Sequence, residues 1–145
     1  FEAAAFLKRC GADVTRVRKL FREDAADYLA KAEAIHNAEI FKGFYAISEC
    51  DSENTASPTL VCAQAANDLL NIKGIKASFV LTLYNNIIYI SARSMDEVNV
   101  QTIMEKLGGG GHRSVAGAQI KEGTIEDAKK RVKEVLKEMT EKGEI

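Results

Sequence analysis

Neither sign of charge predominates in this chain of 145 residues: 20 Lys and Arg stand against 21 Asp and Glu, a formal net charge of −1. That balance excludes a global positive field drawing the chain onto nucleic acid or an anionic membrane, so any phosphate site has to be local. No apolar run approaches the roughly 20 residues of a membrane-spanning helix, and the N-terminus lacks the basic-then-apolar layout of a signal peptide. The three cysteines, Cys10, Cys50 and Cys62, include no Cys-x-x-Cys pair. They fit reduced thiols in a cytoplasmic protein better than a disulfide framework. The two histidines, His36 and His112, are isolated from each other, so histidine cannot supply a two-metal centre here. Internal repeats and low-complexity segments are lacking as well.

What is present is enough apolar sequence, 46% of residues, for one sizeable core with an attached segment. The chain opens FEAAAFLKRCGAD, without an initiating methionine, and reads as an excised fragment. Phe1 to Arg9 reads as a helix end stopped by Gly11, and VTRVRKLF as a second short helix. Asp24 is placed to cap a connecting helix over DAADYLAKAEAIHNAEI, on which His36 is a partly exposed surface residue. From Gly43 the pattern changes to a strand, FYAIS, then a polar loop to Ser57-Pro58 and a helix to Leu70. KASFVLTLYNNIIYISARS predicts a hairpin turning at Asn85-Asn86. Val98 to Leu107 is expected to be helical and Ala116 to Ile120 a strand. Thr124 with Asp127 three residues on predicts a capped final helix. The order β-α-β-β-α-β-α predicts an α/β fold: a mixed β-sheet with helices packed against it, preceded by a helical connector.

The stretch EKLGGGGHRSVAGAQI is where chemistry is expected. Without a Cβ, glycine lets backbone approach a ligand closely, and successive amides can turn inward on an anion. The competing reading makes Gly108 a helix C-cap and the rest a flexible turn. Four glycines in a row favour the first, because each ordered glycine loses more backbone entropy than any other residue. A Walker loop is excluded, since His-Arg-Ser follows the glycines and a helix precedes them; the dinucleotide fingerprint fails because its last glycine would fall at Arg113 or Ser114. His112 adds a hydrogen-bond donor, and Arg113 a partner for phosphate or a solvated rim charge. In SARS, Ser91 to Ser94, Arg93 stands where a strand ends and faces either a ligand crevice or a surface ion pair. Asp68, Tyr84, Tyr89 and Gln119 are expected to be structural, on packed helix or strand faces.

Gly109-Gly110-Gly111-His112-Arg113-Ser114-Val115-Ala116-Gly117 resembles the Gly-Gly-Gly-His-x-x-Ala-Ala-Gly signature of the DHH-associated domain, the substrate-binding domain of the DHH phosphoesterase superfamily. SARS resembles the Ser-x-Arg-Ser just upstream in such domains. With TLVCAQAANDLLNIKGIKASFVLTL and the fourth glycine, the likeness is to the cyclic-di-AMP phosphodiesterases of Gram-positive bacteria. One departure is Val115, where the superfamily has alanine. The resemblance implies residues 1–23 as the tail of an upstream catalytic domain, 24–42 as a connector and 43–145 as the substrate-binding domain. It implies a cyclic dinucleotide or short oligonucleotide as substrate, held by the backbone of Gly109, Gly110 and Gly111, by His112, and by Arg93 with Ser94. No catalytic or metal-binding residue is assigned to this chain, which is expected to be inactive alone. Manganese would be the cofactor of the upstream domain, in a cytoplasmic part of a parent that is either soluble or membrane-anchored. The alternatives are an oligoribonuclease and phosphoadenosine-phosphate phosphatase of the same superfamily, or a non-catalytic RNA-binding module. A homodimer stays open.

Overall fold

The computed structural model describes residues 1–145. Six helices, α1 (Glu2–Arg9), α2 (Val14–Leu20), α3 (Ala25–His36), α4 (Pro58–Leu69), α5 (Val100–Glu105) and α6 (Ile125–Glu141), accompany six strands. The strands are β1 (Glu39–Phe41), β2 (Tyr45–Glu49), β3 (Ala77–Tyr84), β4 (Ile87–Ser94), β5 (Gly110–Gly111) and β6 (Val115–Ile120). They form one mixed sheet in the order β1-β2-β3-β4-β6-β5. Only β2 and β3 run parallel, as their connection through α4 requires; every other pair is antiparallel.

Alternation along the strands divides the apolar side chains between two layers. Ile88, Ile90 and Ala92 of β4 and Ala116, Ala118 and Ile120 of β6 face α5 and α6, and pack with Ile103, Met104, Val132, Leu136 and Met139. On the opposite face α3 and α4 cover β2 and β3, burying Ala34, Val61, Cys62, Ala65, Ala66 and Leu69 against Ala46 and Val80. The small side chains of α4 let it lie close to the sheet. Polar residues on this covered face are satisfied inside it. Ser78 Oγ donates to Ala66 O (2.6 Å), Thr82 Oγ1 to Cys50 O (2.8 Å), and the Ser48 hydroxyl to Ala34 O.

Local signals hold where the chemistry is short-range. Asn85 and Asn86 carry φ of 51° and 63°, the mirror-image turn that matches strand twist. Thr124 and Asp127 form a reciprocal capping box at the start of α6. Three expectations need correction. The helix expected to run to Ile40 ends at His36, and Glu39–Phe41 instead adds β1 beside β2, turning back through Lys42 and Gly43, both at positive φ. Lys133 of α6 holds Glu39 at 2.8 Å across the layers, a contact between residues far apart in the chain. The helix expected over Val98 to Leu107 covers only Val100–Glu105, because the Asn99 side chain caps it by accepting from Gln101 N. Gly110–Gly111, read as loop, is the edge strand β5.

Residues before Ala25 stand apart from this packing. Neither α1 nor α2 buries a residue, and Phe6, Leu20 and Phe21 are 58%, 83% and 79% exposed. Attachment begins with Lys31 of α3, which pairs with Glu23 (2.8 Å) and with Asp68 of α4 (3.6 Å). Asp68 is thus structural, as expected.

Candidate functional site

The α3/α4 layer covers only half of its face of the sheet. β3 is buried from Ala77 to Thr82, under helices on both sides, whereas β4 is buried only at every second residue. The other β4 residues, Tyr89, Ser91 and Arg93, look out on the uncovered half. Their register partners on β6 are Gln119, Gly117 and Val115, and cross-strand partners share a face. Beyond β6, Gly110 of β5 pairs with Gly117. The centre of this open face is therefore a floor of Ser91, Gly117 and Gly110, almost without side chains, with Arg93 toward one end and Tyr89 with Gln119 toward the other.

The glycine run resolves position by position. Gly108, at φ 82°, ends α5: Gly109 N–H reaches Met104 O (2.8 Å) and Gly108 N–H reaches Glu105 O (3.1 Å), the paired bonds of a Schellman termination. A Cβ on Gly109 would strike the Gly117 carbonyl and Ala118, and one on Gly111 would lie 2.6 Å from Val115 O. Both glycines are required by the close approach of β5 to β6. Gly110, like Gly108, meets nothing within 4 Å, but unlike Gly108 it has no positive φ, so neither packing nor backbone conformation explains the missing side chain there. Gly108 is the helix C-cap that the competing reading expected, and Gly110–Gly111 is edge strand in place of the flexible turn; at Gly110 the missing side chain leaves the backbone open to approach. As an edge strand, β5 also leaves backbone groups free on its outer side.

Arg93 is half-buried and has no carboxylate within salt-bridge distance; its Nη1 donates to Ala92 O (2.9 Å) and Ala116 O (3.4 Å). The ion-pair reading thus lacks a partner. Burial lowers the guanidinium pKa from its ordinary value, yet an arginine so far above neutrality stays charged. Its remaining donors are available to an anion. Ser94 differs from its neighbour: it is 6% exposed, and its hydroxyl donates to Val98 O at 2.6 Å. Ser94 N also donates to Ser114 O, and Val100 N to Arg113 O. These bonds fasten residues 112–114 to the end of β4 and the start of α5, which leaves Ser94 holding the loop rather than facing the open floor. On that fastened loop His112 is exposed and its side chain has no hydrogen-bond partner, while its backbone N–H donates to Val115 O (2.7 Å). Arg113 is occupied by Asp96, Nε to Oδ1 at 2.7 Å.

Three residues expected on packed faces are not packed away: Tyr84 and Gln119 are exposed and Tyr89 is half-buried. Tyr89 and Gln119 line a groove of about 460 Å³ with Thr59, Ser91, Gly109 and Lys121. The available signal was the step of two between Tyr89, Ser91 and Arg93, which places all three on one face. A second depression, about 390 Å³ under α3, is walled by Glu33, Glu49, Asp51 and Glu53. Its charge opposes an anionic ligand. No group of three or more His, Cys, Asp and Glu side chains converges as a metal site, so these residues do not fit the implied manganese.

Comparison with known proteins agrees with this geometry. The DHHA1 domain profile matches residues 43–138. The chain is 41% identical over 133 residues to the cyclic-di-AMP phosphodiesterase PdeA of Listeria monocytogenes, covering 91% of this chain and 20% of that protein. It is 41% identical over 144 residues to the cyclic-di-AMP phosphodiesterase GdpP of Geobacillus thermodenitrificans, covering 99% and 22%. The chain therefore spans about a fifth of the length of these relatives. An exopolyphosphatase-related protein from Bacteroides fragilis shares the fold, with a TM-score of 0.79 over 94% of this chain and 42% of that one at 22% identity.

Proposed function

The chain belongs to the DHHA1 domain family, and from that premise we propose that it is the substrate-holding part of a cyclic-di-AMP phosphodiesterase, with hydrolysis carried out by an upstream metal-bearing domain. The observation that carries this is Arg93: a half-buried, unpaired guanidinium beside a floor almost without side chains, with no carboxylate in reach. A phosphodiester is the ligand this arrangement suits, since the guanidinium offers several donors in one plane. Backbone amides on the outer side of β5 and the free imidazole of His112 lie next along the same edge. Kinship with two cyclic-di-AMP phosphodiesterases supports the choice of substrate.

In this reading the chain contributes position. Arg93 fixes one phosphate, the Gly110–Gly117 floor lets the ligand lie against backbone, and His112 on its fastened loop donates to the distal phosphate or sugar. Holding the substrate rigidly lowers the entropic part of the barrier for a reaction performed elsewhere. Manganese bound by the upstream domain would supply an activated water; no side chain here takes part in that. Residues 1–23 go with the upstream domain, because their apolar side chains find no burial in this one.

The test is Arg93→Ala in the enzyme with its upstream domain attached. Loss of hydrogen bonds to a charged group costs about 1.5–3 kcal/mol, so kcat/KM should fall roughly tenfold to a hundredfold with manganese affinity unchanged. Equal activity in variant and parent would remove Arg93 from the site and the proposal with it.

A further inference from the structure

The groove beyond the glycine floor has a composition that phosphate binding does not require. Tyr89 offers an aromatic surface that makes no ring pairing within the protein, and its hydroxyl has no hydrogen-bond partner. Gln119, directly across the strands from Tyr89, offers an amide that both donates and accepts and has no partner of its own. Between them and Arg93 lie only Ser91 and Gly117. Tyr89 and Arg93 are four residues apart on one strand, about 13 Å along it at 3.3 Å per residue. Lys121 stands at the rim with no carboxylate within 4 Å. Thr59, from the first turn of α4, closes the opposite wall.

We propose that this groove is a nucleobase subsite that selects adenine, with Tyr89 as the stacking surface and Gln119 reading the base edge. The inference rests on the substrate-holding role of Arg93 argued above and adds the part of the ligand that role leaves unassigned. A base stacks on an aromatic side chain irrespective of its identity. A glutamine amide, by contrast, pairs in two-point fashion with the N6 and N7 edge of adenine. The small residues between the ends let one nucleotide lie flat on the floor, its phosphate at Arg93 and its base at Tyr89. Lys121 then faces a second phosphate leaving the groove.

The experiment titrates the full chain with AMP, GMP and ribose 5-phosphate, following amide shifts by NMR. AMP should bind roughly tenfold more tightly than ribose 5-phosphate, and more tightly than GMP. Tyr89→Leu, which keeps the sheet face filled, should bring AMP down to the level of ribose 5-phosphate without changing the latter. Gln119→Ala, at an exposed position that cannot unfold the domain, should abolish the preference for AMP over GMP. Arg93→Ala should weaken all three ligands alike. If AMP and ribose 5-phosphate bind equally, or the preference for AMP survives both groove variants, the base subsite is overturned and the phosphate site stands. If none of the three binds, both readings fall.

Discussion

The two halves of one sheet face carry similar residues and put them to opposite uses. Under the helical layer, β3 presents Ser78 and Thr82, fully buried, Ser78 donating to Ala66 O of α4 and Thr82 to Cys50 O at the end of β2. On the neighbouring strand Tyr89 and Ser91, and across from them Gln119, belong to the same face; α4 reaches it with Cys62 against Ser91 and Thr59 at the wall, but no layer closes over the groove. Polarity in a strand is therefore not a mark of function or of packing. What decides is whether a second layer arrives to satisfy it. The covering helix stops short because α4 lies over β3 and the near side of β4, leaving β6 and β5 bare.

The largest effect that would sharpen this contrast lies within the glycine run. Gly109→Ala drives a methyl into the Gly117 carbonyl and Ala118 and should destabilise the chain by about 3 kcal/mol. Gly110→Ala, one residue on, should leave the urea midpoint unchanged and weaken only ligand binding. Equal destabilisation by the two would show that β5 is not held against β6 as described.

Next in size is His112→Asn in the enzyme with its upstream domain. Activity should fall by about 1.5–3 kcal/mol in kcat/KM terms while the melting temperature stays level, since the side chain contacts no core. A melting temperature that falls in step with activity would make His112 a packing residue of the loop.

A smaller effect tests the comparison itself. Ser78→Ala removes a buried hydrogen bond to Ala66 O and should cost about 1 kcal/mol. Ser91→Ala, on the open half, should change stability by no more than about 0.5 kcal/mol. Similar losses at both would mean the open half is covered in solution.

A last effect, absent at neutral pH, is an alkaline pH dependence peculiar to the covered half. Burial pushes the Cys62 thiol from 9.0 up to about 12 and the Cys50 thiol to about 11. A raised folded-state value means that the unfolded chain releases these protons first. Stability should therefore be undiminished below about pH 9 and decline as pH rises toward 12. Cys62→Ala should flatten that decline, measured as urea midpoint against pH; an unchanged slope would assign the alkaline loss to other groups.

Legibility in the sequence followed the range of the interaction. The Asn85-Asn86 turn, the Thr124–Asp127 capping box and the Ser57-Pro58 helix start each depend on a few consecutive residues, and all three stand where expected. β1 escaped notice because three residues become a strand only when β2 offers an edge and Lys133 reaches Glu39. Val98 and Leu107, expected as the ends of a helix, lie in the core outside it, since burial and helicity come from different contacts. Tyr89 and Gln119 were assigned to packed faces because alternation reports which residues share a side and not what lies over that side.

The sequence by itself determined the α/β class, the apolar alternation of the hairpin strands and the position of the glycine-histidine stretch, all of which follow from spacing along the chain. Tertiary structure alone decided what each glycine does. It tied Gly109 and Gly111 to β6 by clearance and left Gly110 open. It also separated Arg93, unpaired and facing the floor, from Ser94, turned inward to Val98. Adjacent residues on a strand point to opposite faces, so two neighbours with one motif between them meet different layers, and only the arrangement of those layers settles which of them a ligand can reach.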